Sequence, residues 1–427
     1  LPFNQGFFLF LHYSIAQTFK TMNNIILFDG DNRNQLLPLT FTRPVAEIRM
    51  GILTITQKWE HSLGGTASHI TQDYLAEKFP LAIEAENYII NGSVLPSTHL
   101  VRLIKGLSNN EALLTDGELV AAKLDKVQFD RLMRDEDIEE LLGFEIGDTP
   151  LVKIDHLWDI FRYNHEALAY DFELLTQGRT SAPIDPSNRA IEPKNIFIEA
   201  GAEVSCAILN AKDAPIYIGK NAVVMEGAMV RGGLALCEGA VLKMGAKIYG
   251  ATTIGPYSKV GGEVSNSVIL ANSNKAHDGY LGNSIIGEWC NLGADTNASN
   301  LKNSYENIKI WDYSKEDYAD SRLQFCGLVM GDHSKCGINT MFNTGTVVGV
   351  CSNIFGEGFP PRFVPSFSWG GKDGLATYRL DKALQTATKV VARRNAILGE
   401  AEKKIIAQLF EQTKKFRTWE ADLDKTN

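Results

Sequence analysis

The chain has no CxxC pair, and its six cysteines (206, 237, 290, 326, 336 and 351) all lie in its C-terminal part. That excludes the common zinc-ribbon and dithiol redox motifs and reads as buried, reduced thiols of a cytoplasmic protein. Positive charge is also short. The formal net charge of −9 gives no long-range attraction to nucleic acid or to an anionic membrane, so neither is expected as a partner. Long apolar runs are missing too. "GFFLFLHYSIA" near the N-terminus falls well below the ~18 residues of a membrane span and has no basic stretch before it, as a secretory signal would. A good strand, "NIILFDG", begins just after Met22. Residues 1–21 are therefore expected to be an upstream extension outside the fold, with a cleaved signal as the alternative.

What is present is globular: 44% hydrophobic and 22% charged residues over 427 positions, enough for two or more domains. From Met22 to Gln177, apolar strands such as "NIILFD" and "NYIING" alternate with helical stretches, "PVAEIRMGILTITQKWEHSL" and "DHLWDIFRYNHEALAYDFELLTQG". This pattern predicts an α/β domain over 22–177, its last helix capped at Gly178. The proline-rich, aperiodic stretch 178–195 predicts a linker. Residues 371–427 predict a helical tail, with one or two amphipathic helices broken near Gly399.

Between them every sixth residue is aliphatic: Ile218, Val224, Val230, Leu236, Leu242, Ile248, Ile254 and Val260. Six is the period of neither a helix nor a simple strand. A short strand plus a tight turn makes one side of a triangular coil; three sides take about 18 residues, and coils stack about 4.8 Å apart. The aliphatic residue points inward, and small residues such as Gly227, Gly239 and Gly245 make the corners. The phase returns at Ile286, Leu292 and Ala298 and again from Met330 to Ile354. The intervening stretches, about 266–285 and 301–328, are expected to be loops projecting from the prism. Such hexads resemble the left-handed parallel β-helix family, which places 196–370 in that fold and implies trimers in many members.

One segment carries more than scaffold: "SNKAHDGYLGNSIIGEWCNLGADTNASNLKN". Lys275-Ala276-His277 precedes Tyr280-Leu281-Gly282, Asn291-Leu292-Gly293-Ala294-Asp295-Thr296 follows, and Asn300 stands nine residues after Asn291. This resembles the acetyltransferase half of bifunctional sugar-1-phosphate nucleotidyltransferase/glucosamine-1-phosphate acetyltransferases, and the archaeal branch still more closely. Asp295 replaces that family's usual glycine. The resemblance implies acetyl-CoA as cosubstrate and a hexosamine-1-phosphate as acceptor, in UDP-N-acetylglucosamine synthesis. It implies His277 as general base, a role suited to imidazole near neutral pH. Tyr280, Asn291, Asn300, Lys309 and Lys275 would then hold the sugar phosphate, and the backbone at Gly293 and Ala294 would stabilise the oxyanion. The family also carries an Arg and a Lys on earlier coils for the sugar phosphate. In this sequence Tyr249 and Ser267 are taken to stand at those positions, so phosphate contact would fall to Lys259, Lys275 or Arg231.

The N-terminal "DGDNRNQLLPLTFTRPVAEIRMG" resembles the opening of sugar-1-phosphate nucleotidyltransferases, with Pro38-Leu39-Thr40 and Pro44 matching. The resemblance implies nucleotide contacts from Asp29, Gly30, Asp31, Arg33 and Arg43, with Mg²⁺ and UTP as cosubstrates of this half. The glycine loop is reduced, however, and Ser93 stands where the metal-binding Asp is expected, so no metal site is assigned. Three functions compete. The first is acetyl transfer, with nucleotidyl transfer in the N-terminal half or with that half alone active. The second is a non-catalytic sugar-nucleotide-binding regulatory subunit. The third is a zinc hydratase on the same prism, which needs three histidines where the repeats offer only His277 and His333.

Overall fold

A computed structural model of the protein describes residues 23–134, 141–147 and 150–424. The expected extension 1–21 lies outside the described residues. The N-terminal domain is a six-stranded mixed sheet. Its strand Asn23–Phe28 runs parallel to both Gly65–Ile70 and Glu86–Asn91. The continuous apolar run "IILF" puts Ile25, Ile26 and Leu27 at 0–1% exposure, buried on both faces of the sheet. Two helix expectations shrink. Of residues 44–63 only Ile55–Leu63 is α-helical, beside the one 3₁₀ turn Val45–Glu47; it is started by a Thr54–Gln57 capping box and closed by Gly64 in the left-handed conformation. The long helix of 155–178 divides into Leu157–Arg162 and Asn164–Thr176.

The hexad reading holds in detail. Three sheets of short parallel strands form a triangular prism, the left-handed β-helix, and the eight aliphatic residues from Ile218 to Val260 are 0–2% exposed inside it. Burying each contributes about 1.5–3 kcal/mol. The prism begins earlier than expected, because Arg189–Ile191 of the presumed linker already pairs with Ile208–Asn210. Stretch 266–285 is a correction: it does not project but is itself a coil of the prism, with strands Val268–Ile269, Asn274–Lys275 and Tyr280–Gly282. The coil is short. Val224 pairs with Leu242, eighteen residues on, but Val260 pairs with Lys275, only fifteen on. Stretch 301–328 does project, as the antiparallel hairpin Lys309–Asp312 with Asp317–Asp320.

Corners need one left-handed residue each, but glycine is not its only occupant. Tyr257, Trp289, His333 and Phe367 take φ near +60° there, as do Asn221 and Asn272. Asp295, where the resembled family has glycine, sits at φ +56°. That explains the exchange, since the short polar side chain of Asp tolerates this region better than most.

The three prism faces differ in what they meet. The first, with Phe197, Tyr217 and Ala235 pointing outward, packs on Ile52, Leu53 and Leu168 of the N-terminal domain. Further along, Val268, Ile285, Val329 and Val347 join one core with the N-terminal sheet, the 309–320 hairpin and the tail helices. Those helices, Leu380–Ala392 and Glu400–Gln412, break at Gly399 as expected. The third face leaves Ile208, Met229 and Tyr249 about 40% exposed along a groove of about 800 Å³. The second face carries the site.

Candidate active site on the second prism face

Outward side chains of the second face form a polar column in consecutive coils: Lys259, Asn274, Asn291 and Lys335, paired strand to strand. The end of helix Leu380–Ala392 and the residues after it lie over this column. They enclose a cleft of about 690 Å³ whose walls include Trp289, Arg393 and Arg394. His277, Asn291, Gly293 and Ala294 all line it. His277 is exposed on the corner between the second and third faces, and its imidazole makes no hydrogen bond to any described residue.

The corner that holds His277 is tightly sandwiched. A Cβ on Gly262, one coil below, would stand 2.9 Å from the His277 carbonyl, and one on Gly279 would stand 2.1 Å from the Thr296 carbonyl above. Gly279 also has φ +113°, so both space and conformation require glycine there. Lys275 clamps the turn from inside. In the inward column it follows Val260 and precedes Leu292, where an aliphatic residue is the rule, and it is 2% exposed. Its Nζ donates to the carbonyls of Gly261 at 3.1 Å and His277 at 2.7 Å. Burial lowers its pKa to about 8, partly offset by Asp278 and Asp295. Lys275 thus points away from the cleft, a correction to its expected contact with the sugar phosphate.

Other expected site residues divide. Tyr280 and Asn300 meet on the third face. Asn300 Nδ2 donates to the Tyr280 hydroxyl at 3.0 Å and to Asn283 Oδ1 at 2.8 Å, so the pair is joined round the corner from His277 rather than in the cleft. Lys309 is exposed on the hairpin and does not line the cleft. The Gly293 N–H is spent on the Cys336 carbonyl of the next coil at 3.2 Å, which removes it as an oxyanion donor. The Ala294 N–H has no partner among the described residues. Tyr249 and Arg231 line the third-face groove. Ser267 is buried on the Ser265 carbonyl. Of the alternatives for phosphate contact, Lys259 alone lies in the cleft.

The cleft's charge was missed from sequence. Lys259, Lys335, Arg393 and Arg394 line it, no carboxylate does, and none of the four forms an ion pair among the described residues. Arg394 Nη2 donates to Asn274 Oδ1 at 3.1 Å, tying the tail to the column. An Arg-Arg doublet at a helix end ordinarily reads as a complement to the helix dipole. Only the path of the tail shows where it points.

In the N-terminal loop the expected phosphate ligands turn inward. Arg33 Nε lies 3.2 Å from Asp29 Oδ2, and its Nη2 donates to the Thr40 carbonyl and the Tyr74 hydroxyl. Asp29 also accepts from the Val45 N–H at 2.7 Å and from the Thr71 hydroxyl at 2.6 Å. Arg43 leaves the loop altogether and crosses to the prism, pairing with Glu288 at 3.0 Å and with Asp332. Burial alone would lower its pKa, but Asp332 and Glu288 outweigh that and the net shift is upward. Gly30 has φ −83° and makes no left-handed turn for a phosphate. Asp31 is exposed and starts a short 3₁₀ helix, Asp31–Leu36. Ser93 is buried and donates to Asn91 Oδ1. Among the described residues no three His, Cys, Asp or Glu side chains could share a metal ion. The prism therefore offers no three-histidine zinc site among the described residues; Mg²⁺ needs only one or two carboxylates beside a nucleotide's phosphates, and here Asp29 is committed to Val45 and Thr71 while Asp31 is exposed.

Fold and site together define a nucleotidyltransferase-like α/β domain carried on the first face of a left-handed β-helix, with a basic cleft on its second. Comparison with known proteins names the relatives. Residues 25–180 match the family described as sugar nucleotidyl transferase. The chain is similar to the bifunctional protein GlmU of Methanocaldococcus jannaschii, 39% identical over 87 residues, which is 20% of this chain and 21% of that one. It is also similar to the bifunctional sugar-1-phosphate nucleotidylyltransferase/acetyltransferase of Sulfurisphaera tokodaii, 32% identical over 93 residues, 22% and 23% of the two chains. The matched segment therefore spans about a fifth of the length of these curated relatives. The solved polySia-specific acetyltransferase NeuO aligns at 13% identity with a TM-score of 0.24, over 45% of this chain and 82% of its own. No described helix is long and apolar enough to cross a membrane.

Proposed function

We propose that the second-face cleft transfers an acetyl group from acetyl-CoA to the amine of a hexosamine-1-phosphate, glucosamine-1-phosphate first among them. The observation that supports this most is the His277 corner. An unpartnered imidazole is held by Gly262, Gly279 and Lys275 at the mouth of a cleft that also presents Asn291 and the free Ala294 N–H. In this reading the sugar nitrogen attacks the thioester carbonyl. His277 takes the amine proton, the Ala294 N–H faces the developing oxyanion, and the C–S bond breaks to release coenzyme A thiol, to which the proton passes. Such a base contributes about 10²–10⁴-fold.

The N-terminal domain, in this reading, serves the prism rather than a nucleotide, since Asp29, Arg33 and Arg43 are all internally committed. UTP with N-acetylglucosamine-1-phosphate should release no pyrophosphate. We further propose a homotrimer. The apolar third face then packs on a neighbouring prism, and the Tyr280–Asn300 pair meets a neighbour's ligand at the shared corner; light scattering in solution reads the mass. The direct test of the function is thiol release from acetyl-CoA with glucosamine-1-phosphate. Wild type should turn over, and His277→Gln should lose about 10²–10⁴ in kcat with an unchanged circular dichroism spectrum. No turnover by wild type on glucosamine- or galactosamine-1-phosphate would overturn it.

A further inference from the structure

We infer that Arg393 and Arg394, with Lys259 opposite, form a phosphate-ester subsite in the second-face cleft. Nothing in the sequence pattern assigns these arginines a ligand; their placement does. Four cationic side chains line one cleft, none has a carboxylate partner among the described residues, and no carboxylate lines the cavity. Elsewhere in the molecule buried cations are satisfied within the protein: Arg43 by Glu288 and Asp332, Lys58 by Asp171, and Lys275 by two backbone carbonyls. Like charges gathered without counter-charge raise one another's energy, and a bound dianion removes that cost. The effect is already visible at Arg394, where burial and then Arg393 lower the pKa. Geometry adds a second argument. Arg394 is fixed by Asn274, and Asn274 reaches Asn291 at 3.5 Å, so the guanidinium is placed in register with the coil that carries His277. Planar guanidinium forks suit phosphate oxygens, and two adjacent ones suit a phosphate ester or a diphosphate. Both sources exist in the reaction proposed above: the acceptor's 1-phosphate and the phosphates of coenzyme A. The subsite rests on that reading only for the name of its ligand.

Calorimetric titration of the full chain separates these cases with four probes: glucosamine-1-phosphate, coenzyme A, dephospho-coenzyme A and inorganic pyrophosphate. The double variant R393A/R394A should weaken at least one of the first two by tenfold or more, and R393K/R394K should recover part of the loss. A loss confined to glucosamine-1-phosphate assigns the sugar phosphate. A loss on coenzyme A that is absent for dephospho-coenzyme A assigns its 3′-phosphate, and one that persists assigns its diphosphate. Should the double variant fold poorly, K259A, an exposed side chain on the opposite wall, must weaken the same probe. If wild type binds a probe and neither R393A/R394A nor K259A weakens it, the subsite is overturned while acetyl transfer survives. If wild type ignores both substrates yet binds pyrophosphate through these arginines, the subsite stands and the acetyl-transfer reading falls. Binding of no probe at all overturns both.

Discussion

Two pairs of arginines divide this molecule. Arg33 and Arg43 lie where the sequence resembles a nucleotide-phosphate loop, and both are buried against carboxylate partners or carbonyls. Arg393 and Arg394 lie in a tail that carries no motif, and they border an open cleft free of carboxylates. The difference teaches that a basic residue's role is set by the company it keeps. A guanidinium already buried against carboxylates has little charge left for a ligand, whereas one held in place by a neutral asparagine keeps its charge available. The first pair has become structural: Arg43 joins the N-terminal domain to the prism through Glu288 and Asp332, and Thr42 adds a bond to Asp332 at 2.7 Å.

The largest expected effect follows from that pairing. Arg43→Met leaves Asp332 buried, and Glu288 half-buried, without a cation and should cost about 3–5 kcal/mol in urea unfolding. R393A/R394A should change stability by only about 0.5 kcal/mol or less, as surface changes do. Equal losses in the two variants would erase the contrast. Gly279→Ala comes next. Its methyl group meets the Thr296 carbonyl at 2.1 Å, so it should cost about 1–3 kcal/mol and lower acetyl transfer at least tenfold by displacing His277; an unaffected rate would detach the turn from catalysis. The smallest effect is that of Lys275. Its amine holds a proton less tightly in the folded state, at about pH 8, than at its ordinary value of 10.5. Between those values the unfolded chain binds more protons, so this group's contribution to stability rises with pH across the window. Lys275→Met should abolish that rise, seen as converging urea midpoints at pH 7.5 and 10. It should also lower kcat without lowering stability at pH 7.5, because the His277 carbonyl loses its clamp. An unchanged kcat would make Lys275 a filler of the core and nothing more.

The scaffold was legible because its signal repeats. Eight hexad positions report on one another, and all eight are interior. Where a coil departs from eighteen residues the repeat loses its phase, which is why 266–285 read as a loop although it is the coil that bears His277. That His277, Asn291 and Ala294 line one cleft follows from local spacing, since they need only neighbouring coils to meet. Lys275 was misread because an amine inside an aliphatic column contradicts the pattern that locates it. Of the basic wall only Lys259 was legible, as a candidate phosphate contact: Arg394 lies 135 positions further on in the chain, and no local pattern states that the tail returns over the second face. The N-terminal loop failed in the opposite sense. Its motif residues are present, but Arg43 is neutralised by Glu288 and Asp332, from coils more than two hundred residues later.

Ligand chemistry in this molecule is expected on the second prism face and not at the N-terminal loop. Amide hydrogen exchange with and without coenzyme A plus glucosamine-1-phosphate tests it directly. Slowed exchange at 276–279, at Ala294 and at 390–396, with 29–45 unchanged, is the predicted result. Protection confined to 29–45, with the 276–279 turn and the Arg393–Arg394 segment unaffected, would contradict it.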